Sequence, residues 1–371
     1  MASFPRSQLA DFRIALLLSG GNALGSYQGG AYEALEEQGI APDWVAGASA
    51  GAINGAIICG NPADQRLAKL RELWRPTAGA TAQPGGPWNG VDQARRTQAA
   101  AKTMMAGEPR LFIPRALYGP WWNPLGNTEP PSLYDASPLQ RTIESLVDFD
   151  LLNEGTPRFS ATAVDIETGE DLFFDTHRER VTSHHLRASS ALLPVFSPVD
   201  VDGRLVGDAG ISVNLPLDVV LCEQSDRPLI CIAVDLLPLH GARPGTLGEV
   251  ALRTQDLIFA SQSRRAIAAW QAVFTERARH PGCASITLLH VAYSGQSQEV
   301  SGKAFDFSAR SAAARWRAGY EDLSFALGEL ATRRQEIGRP GMTVYATTHG
   351  SDSRQLKAVE WRLGPKPAGS I

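Results

Sequence analysis

Val45-Ala46-Gly47-Ala48-Ser49-Ala50-Gly51 decides how this chain is read. It has the form G-x-S-x-G, with Ser49 at its centre. Asp43 to Ala46 leads in as a run able to form a buried strand, and a small-residue helical pattern, Ala50 to Ile58, leads out. A serine on a sharp strand-to-helix turn holds its oxygen clear of the sheet. Gly47 and Gly51 let such a turn close without a Cβ clash. The helix start beyond Ser49 favours negative charge developing nearby. Small residues are common enough that the five letters arise by chance in many chains. The strand–turn–helix context is what gives them weight.

The same arrangement appears one unit earlier. Ile14 to Leu18 has the length of a buried strand and ends in Ser19-Gly20-Gly21-Asn22-Ala23-Leu24-Gly25. A helical pattern follows from Ser26, with Tyr27, Ala31, Ala34 and Leu35 on one face and Gly39 closing it. A glycine-rich loop between strand and helix turns main-chain N–H groups toward an anion. It is not a P-loop, since no Gly-Lys-Ser/Thr follows. It is a poor dinucleotide fingerprint, since Asn22 breaks the glycine spacing.

Further on, Ala63 to Trp74 reads as a helix. Residues 76–131 form a Pro/Gly-rich insertion with Trp88, Trp121 and Trp122 and a short helix over Val91–Met105. A helix opens at Ser137-Pro138. Strands are expected at Arg158–Asp165, Asp171–Phe174, Leu229–Val234 and Ile286–Val291, with a hairpin turn at Asp202-Gly203 feeding Asp208. Thr246–Arg279 reads as helix with room for one break. Ser308–Glu336 is a long helix whose stripe of Trp316, Tyr320, Leu323, Leu327 and Leu330 suits core packing or a partner seam. Strands alternating with helices predict an α/β protein with a mostly parallel sheet covered on both faces. Sites in such sheets form beyond the carboxyl ends of strands, which is where the glycine loop, Ser49 and Asp208 all fall.

Bulk properties narrow the function. The chain has 371 residues, and its net charge of -4 gives no support for nucleic-acid binding. Its four cysteines, at 59, 222, 231 and 283, show no C-x-x-C spacing; Cys59 and Cys231 sit in apolar runs, as buried free thiols in a reducing compartment do. Met1–Phe12 is polar and lacks a signal-peptide core, and no apolar stretch approaches the length of a bilayer. A cytoplasmic protein, soluble or peripheral to the inner face of the membrane, is expected.

Three stretches together resemble the patatin-like phospholipase family: LSGGNALGSYQGGAYEAL, GASAG and RASSALLPVFSPVDVDGRLVGDAGISVNLPL. The resemblance covers about the first two-thirds of the chain. KAFDFSARSAAARWRAGYEDL is similar to the C-terminal extension of one bacterial subgroup. The resemblance implies a three-layer α/β/α fold with a catalytic domain over 13–240, after an N-terminal tail over 1–12. An α/β extension over 241–360 packs on it, and a flexible tail, 361–371, follows. It implies Ser49 as nucleophile, Asp208 as its partner in a Ser–Asp dyad, and the amides of Gly20, Gly21 and Asn22 as oxyanion donors. Gly25, Gly47, Gly51 and Gly210 are supporting motif positions. The activity implied is hydrolysis of lipid acyl esters, of phospholipase A, lysophospholipase or general esterase type, with no metal or organic cofactor. The partner is a lipid or acyl-ester substrate, with peripheral membrane contact and no nucleic acid.

Three positions depart from the family pattern. Asn22 stands where a third glycine is usual, which suits a residue tolerant of positive φ. Leu24 replaces an Arg or Lys, which weakens a claim on phospholipid headgroups. Ala209 follows the aspartate where glycine is usual, which requires a backbone conformation open to alanine. Three rival readings stand beside the dyad. One is a Ser–Asp–His triad drawing on His240, His280, His290 or His349. Another is a non-catalytic lipid-binding or scaffold protein on the same fold. The third is a hydrolase of intracellular polyester.

Overall fold

The computed structural model describes residues 11–75, 89–115, 132–223, 227–349 and 354–363. Its strands are β1 (Arg13–Leu18), β2 (Trp44–Ala48), β3 (Ile113–Pro114), β4 (Tyr134–Asp135), β5 (Arg158–Asp165), β6 (Asp171–Asp175), β7 (Val199–Val201), β8 (Arg204–Asp208), β9 (Leu229–Asp235), β10 (Ser285–Ala292), β11 (Gly341–His349) and β12 (Arg354–Ala358). Its helices are α1 (Ser26–Glu37), α2 (Ala50–Cys59), α3 (Arg66–Leu73), α4 (Asn89–Ala106), α5 (Ser137–Leu146), α6 (Phe149–Glu154), α7 (Ser183–Ser189), α8 (Leu217–Leu221), α9 (Leu247–Arg277) and α10 (Ala309–Thr332).

One ten-stranded sheet carries the molecule, in the order β12-β11-β10-β9-β1-β2-β5-β8-β7, with β6 also paired to β5. The run from β11 to β5 is parallel throughout. Strand alternation explains the layers. Ile14, Leu16 and Leu18 of β1 enter a core with α1, α2 and α10, while Ala15 and Leu17 enter a second core with α8 and α9. β9 divides the same way, with Ile230, Ile232 and Val234 on one side and Leu229, Cys231 and Ala233 on the other. Strands buried on both faces read as continuous apolar runs. The result is the three-layer α/β/α arrangement expected from the sequence.

Several local expectations gain detail. α9 runs unbroken over 31 residues from a capping box at Thr246 and Glu249. The turn between β7 and β8 has positive φ at both Asp202 and Gly203, as a tight hairpin requires. The α10 stripe is core: Leu323, Leu327 and Leu330 are fully buried, and α10 lies close along α1. A Cβ on Gly319 would come within 1.9 Å of the Tyr27 carbonyl oxygen, so that crossing admits no side chain. β11 and β12 are strands that the sequence pattern does not reveal. Cys59 and Cys231 are buried free thiols, and burial pushes the Cys231 thiol up to about 12. Trp88, Trp121 and Trp122 lie outside the described residues. Among the described residues, no helix is long and apolar enough to cross a membrane.

Candidate active site

β5 brings the distant pieces together by using one of its edges twice. β6 covers one edge along Ser160–Val164. β2 runs parallel along the other edge as far as Thr162, which faces Ala48. β8 takes up that same edge from Ala163, running antiparallel, with Asp208 opposite Ala163. The end of β2 and the end of β8 therefore meet head to head. Ser49 is the residue after β2, and Asp208 is the last residue of β8.

Ser49 caps α2 with φ 53 and ψ −124, a conformation that L residues rarely adopt. The surroundings hold it there. Its N–H donates to Ser189 Oγ at 3.2 Å, and Ser189 Oγ in turn donates to the Thr162 carbonyl at 2.6 Å. Ala52 N–H and Ile53 N–H donate to the Ser49 carbonyl. Gly51 lets α2 press against the end of β1, where an added Cβ would lie 2.2 Å from the Leu18 carbonyl oxygen. Gly47 packs on Gly51 in the same turn. Nothing in the sequence marks Ser189; a serine in a small-residue helix end carries no signal of that role.

Asp208 is 2% exposed. Gly210 N–H donates to its Oδ1 at 2.7 Å. Burial pushes the carboxyl up to about 6, against the lowering effect of the Ser49 hydroxyl beside it and the Gly210 amide. Ala209 needs no unusual backbone: among the described non-glycine residues, positive φ occurs at Asn22, Ser49 and Asp202. The alanine is thus accommodated without strain.

The glycine loop closes the site from β1. Asn22 has φ 51, as its tolerance of that region predicts. Gly20 departs from the expectation. Its N–H donates to the Asn214 carbonyl at 3.2 Å, so this amide is consumed in holding the loop and is not turned to an anion. Among the described residues, no protein acceptor takes the N–H of Gly21 or Asn22, which leaves those two as the donors available to the cavity. Asn214 also donates from Nδ2 to the Gly20 carbonyl at 3.4 Å. Gly25 supplies a carbonyl to Asn54 Nδ2 at 3.0 Å, behind the loop. Leu24 is fully buried in the core, so position 24 faces no headgroup.

Gly20, Gly21, Asn22, Ser49, Asp208 and Gly210 line one cavity of about 230 Å³. Its remaining wall is mostly apolar, including Trp74, Phe112, Phe196, Phe259, Phe305 and Phe307. Phe112 organises that wall through edge-on contacts to Phe196, Phe305 and Phe307 at 5.3 to 6.0 Å. Asp208 is the sole ionisable residue in the described lining, and no histidine reaches it. His290 instead pairs with Asp235 at 3.3 Å on the β9–β10 strands. Among the described residues, no group of three or more His, Cys, Asp or Glu is placed to share a metal ion.

A serine on a strained strand–helix elbow, a buried carboxylate and two amides without protein acceptors thus border one apolar cavity. The patatin-like phospholipase family model matches residues 16–221, and a second model, described as patatin phospholipase, matches residues 265–336. The chain belongs to the patatin-like phospholipase family. Uncharacterized NTE family proteins of Mycobacterium bovis and Mycobacterium tuberculosis are 24% identical over 263 residues, 68% of this chain. The chain spans 37% of the length of those curated relatives. VipD from Legionella pneumophila aligns with a TM-score of 0.42 at 13% identity, over 86% of this chain and 67% of its own.

Proposed function

We propose that the protein is a serine acyl hydrolase of lipid carboxylic esters, working through Ser49 and Asp208. The observation that carries this reading is the junction of β2 and β8, which sets a buried carboxylate, with no cation in the described lining, beside the half-buried Ser49 in one cavity. Asp208 takes the Ser49 proton as Oγ attacks the ester carbonyl. The Gly21 and Asn22 amides hold the oxyanion. The alcohol leaves with that proton, and an acyl ester remains on Ser49. Water then attacks the acyl carbon, Asp208 takes its proton, and the free acid departs as the proton returns to Ser49. Each oxyanion donor contributes on the order of a few kcal/mol to such steps.

The apolar wall suits an acyl chain. The described lining holds no cation, so a phosphodiester headgroup finds no partner inside the cavity and stays at its mouth. This favours neutral acyl esters and lysolipids over recognition of a particular headgroup. The substrate meets the protein from a lipid surface on the cytoplasmic side. A hydrolysis panel of p-nitrophenyl esters, monoacylglycerols, lysophospholipids, diacyl phospholipids and a soluble polyester oligomer tests the reading. Turnover of acyl esters lost in Ser49→Ala supports it; a purified, folded protein inert on every ester supports the lipid-binding scaffold instead.

A further inference from the structure

Arg315 lies outside the residues that touch the cavity, yet it is built into the site. It sits on α10, is fully buried, and spends every donor it has. Nε and Nη2 donate to the two oxygens of Glu299, each at 2.8 Å. Nη1 donates to the Ala23 carbonyl at 3.0 Å and the Asp306 carbonyl at 2.8 Å, and Nη2 also donates to the Lys303 carbonyl at 3.1 Å. A guanidinium has five N–H groups in a fixed plane. Five acceptors here match the five donors, so the plane has one orientation available.

Three of those acceptors belong to segments that border the cavity. Ala23 is in the turn Asn22–Gly25, directly after the two amides left facing the cavity. Lys303 and Asp306 bracket Ala304 and Phe305, which line it. The turn needs an anchor, because Asn22 holds a positive φ that persists only when its surroundings fix it. One side is fixed by Gly20 on Asn214, and the other by Ala23 on Arg315.

We infer that Arg315 is a positioning residue for the oxyanion turn, which makes the C-terminal helix α10 part of the hydrolytic apparatus. The inference rests on the acyl-hydrolase reading for its kinetic consequence, though not for the clamp itself. Released from Arg315, the Ala23 carbonyl turns away, Asn22 relaxes toward negative φ, and the two amides leave the line of the oxyanion. Binding of the acyl chain depends on the apolar wall and changes less than turnover does.

The test compares Arg315→Lys with the parent and with Tyr345→Phe on β11, which loses a hydrogen bond to Glu336 and lies three strands away from β1. Lysine keeps the charge but offers three donors from one point. Arg315→Lys is expected to lower kcat on p-nitrophenyl butyrate by about 10- to 100-fold, a fraction of what loss of an oxyanion donor costs, with KM within about threefold. Deuterium uptake in the peptide spanning Gly20–Gly25 rises in the same variant. Tyr345→Phe lowers the melting temperature with kcat at the parent value. A folded Arg315→Lys with parent kcat and parent uptake overturns the inference, as does a kcat loss in Tyr345→Phe of the same size. If Arg315→Lys does not fold, exchange in the parent decides. The Gly20–Gly25 peptide must lose protection together with α10 as urea rises, and a loop that exchanges freely while α10 stays protected overturns the clamp. An inert parent protein with a protected loop counts against the hydrolase reading and leaves the clamp standing.

Discussion

Two buried carboxylates, Asp208 and Glu299, show opposite treatments of the same group. Glu299 is 5% exposed and saturated. Burial works against its charge, but Arg315 at 2.8 Å on both oxygens, Arg96 at 3.5 Å and the Tyr293 hydroxyl at 3.0 Å outweigh it. The carboxyl is held below its ordinary range. Asp208 is 2% exposed and accepts from the Gly210 N–H and the Ser49 hydroxyl, with no cation in the described lining, and burial wins. A fully paired charge is inert and structural. A charge left short of partners is basic enough to take a proton at working pH. Glu299 pairs with Arg315, which bonds the Ala23 carbonyl of the glycine loop, while Asp208 borders the cavity on which that loop opens.

The largest effects test the role proposed for Asp208. Ser49→Ala and Asp208→Asn are each expected to lower kcat/KM for a short acyl ester by at least about 10³-fold, measured against folded protein. A variant retaining a tenth of parent turnover breaks the contrast. Below pH 6 the parent itself should lose activity. Asp208 must be ionised to act as base, so log kcat/KM on an uncharged ester should fall with unit slope below about pH 6 and lie flat above it. A profile flat to pH 4.5 contradicts the raised carboxyl.

Stability should move in opposite directions at the two sites. Glu299→Ala leaves Arg315 buried without its counter-charge and is expected to cost about 3–5 kcal/mol in denaturant unfolding. Asp208→Asn is expected to stabilise. A carboxyl whose folded pKa is raised from 3.8 to about 6 contributes stability below pH 3.8 that is lost as pH rises through 6. Removing its charge should therefore return up to about 3 kcal/mol at pH 8 and almost nothing at pH 4. Equal melting temperatures for parent and Asp208→Asn at both pH values break that half of the comparison. The smallest effect concerns the elbow. Ser49→Gly should be more stable than Ser49→Ala by about 1 kcal/mol, because glycine accepts φ 53 freely.

The two carboxylates also differ in how far the sequence reveals them. Ser49 is marked by small residues around a strand end; Asp208, an ordinary aspartate after a tight Asp202-Gly203 turn, is singled out by the family resemblance of its stretch, and nothing in the sequence marks Glu299. The layers of the fold follow from strands with period-two or continuous apolar runs. The use of one β5 edge by both β2 and β8 is not legible, since it depends on register between strands far apart in the chain. Gly20 illustrates the limit at a single atom. Its place in the loop is plain from the sequence, but its amide is spent on Asn214, 194 residues away, and only the fold shows it. KAFDF reads as an unexplained stretch until Phe305 and Phe307 are seen in the cavity wall. Arg315 reads as one charge on a helix whose apolar stripe already explains it. β11 and β12 escape notice because Gly341–His349 is rich in threonine and lacks the apolar run of a central strand.

The most direct test of the account is covalent. A fluorophosphonate probe added to folded parent and Asp208→Asn protein, followed by peptide mass mapping, reads nucleophile and base together. The account predicts a single adduct on Ser49 in the parent and labelling at least about 100-fold slower in Asp208→Asn. An adduct on any other residue, or equal rates in the two proteins, contradicts it.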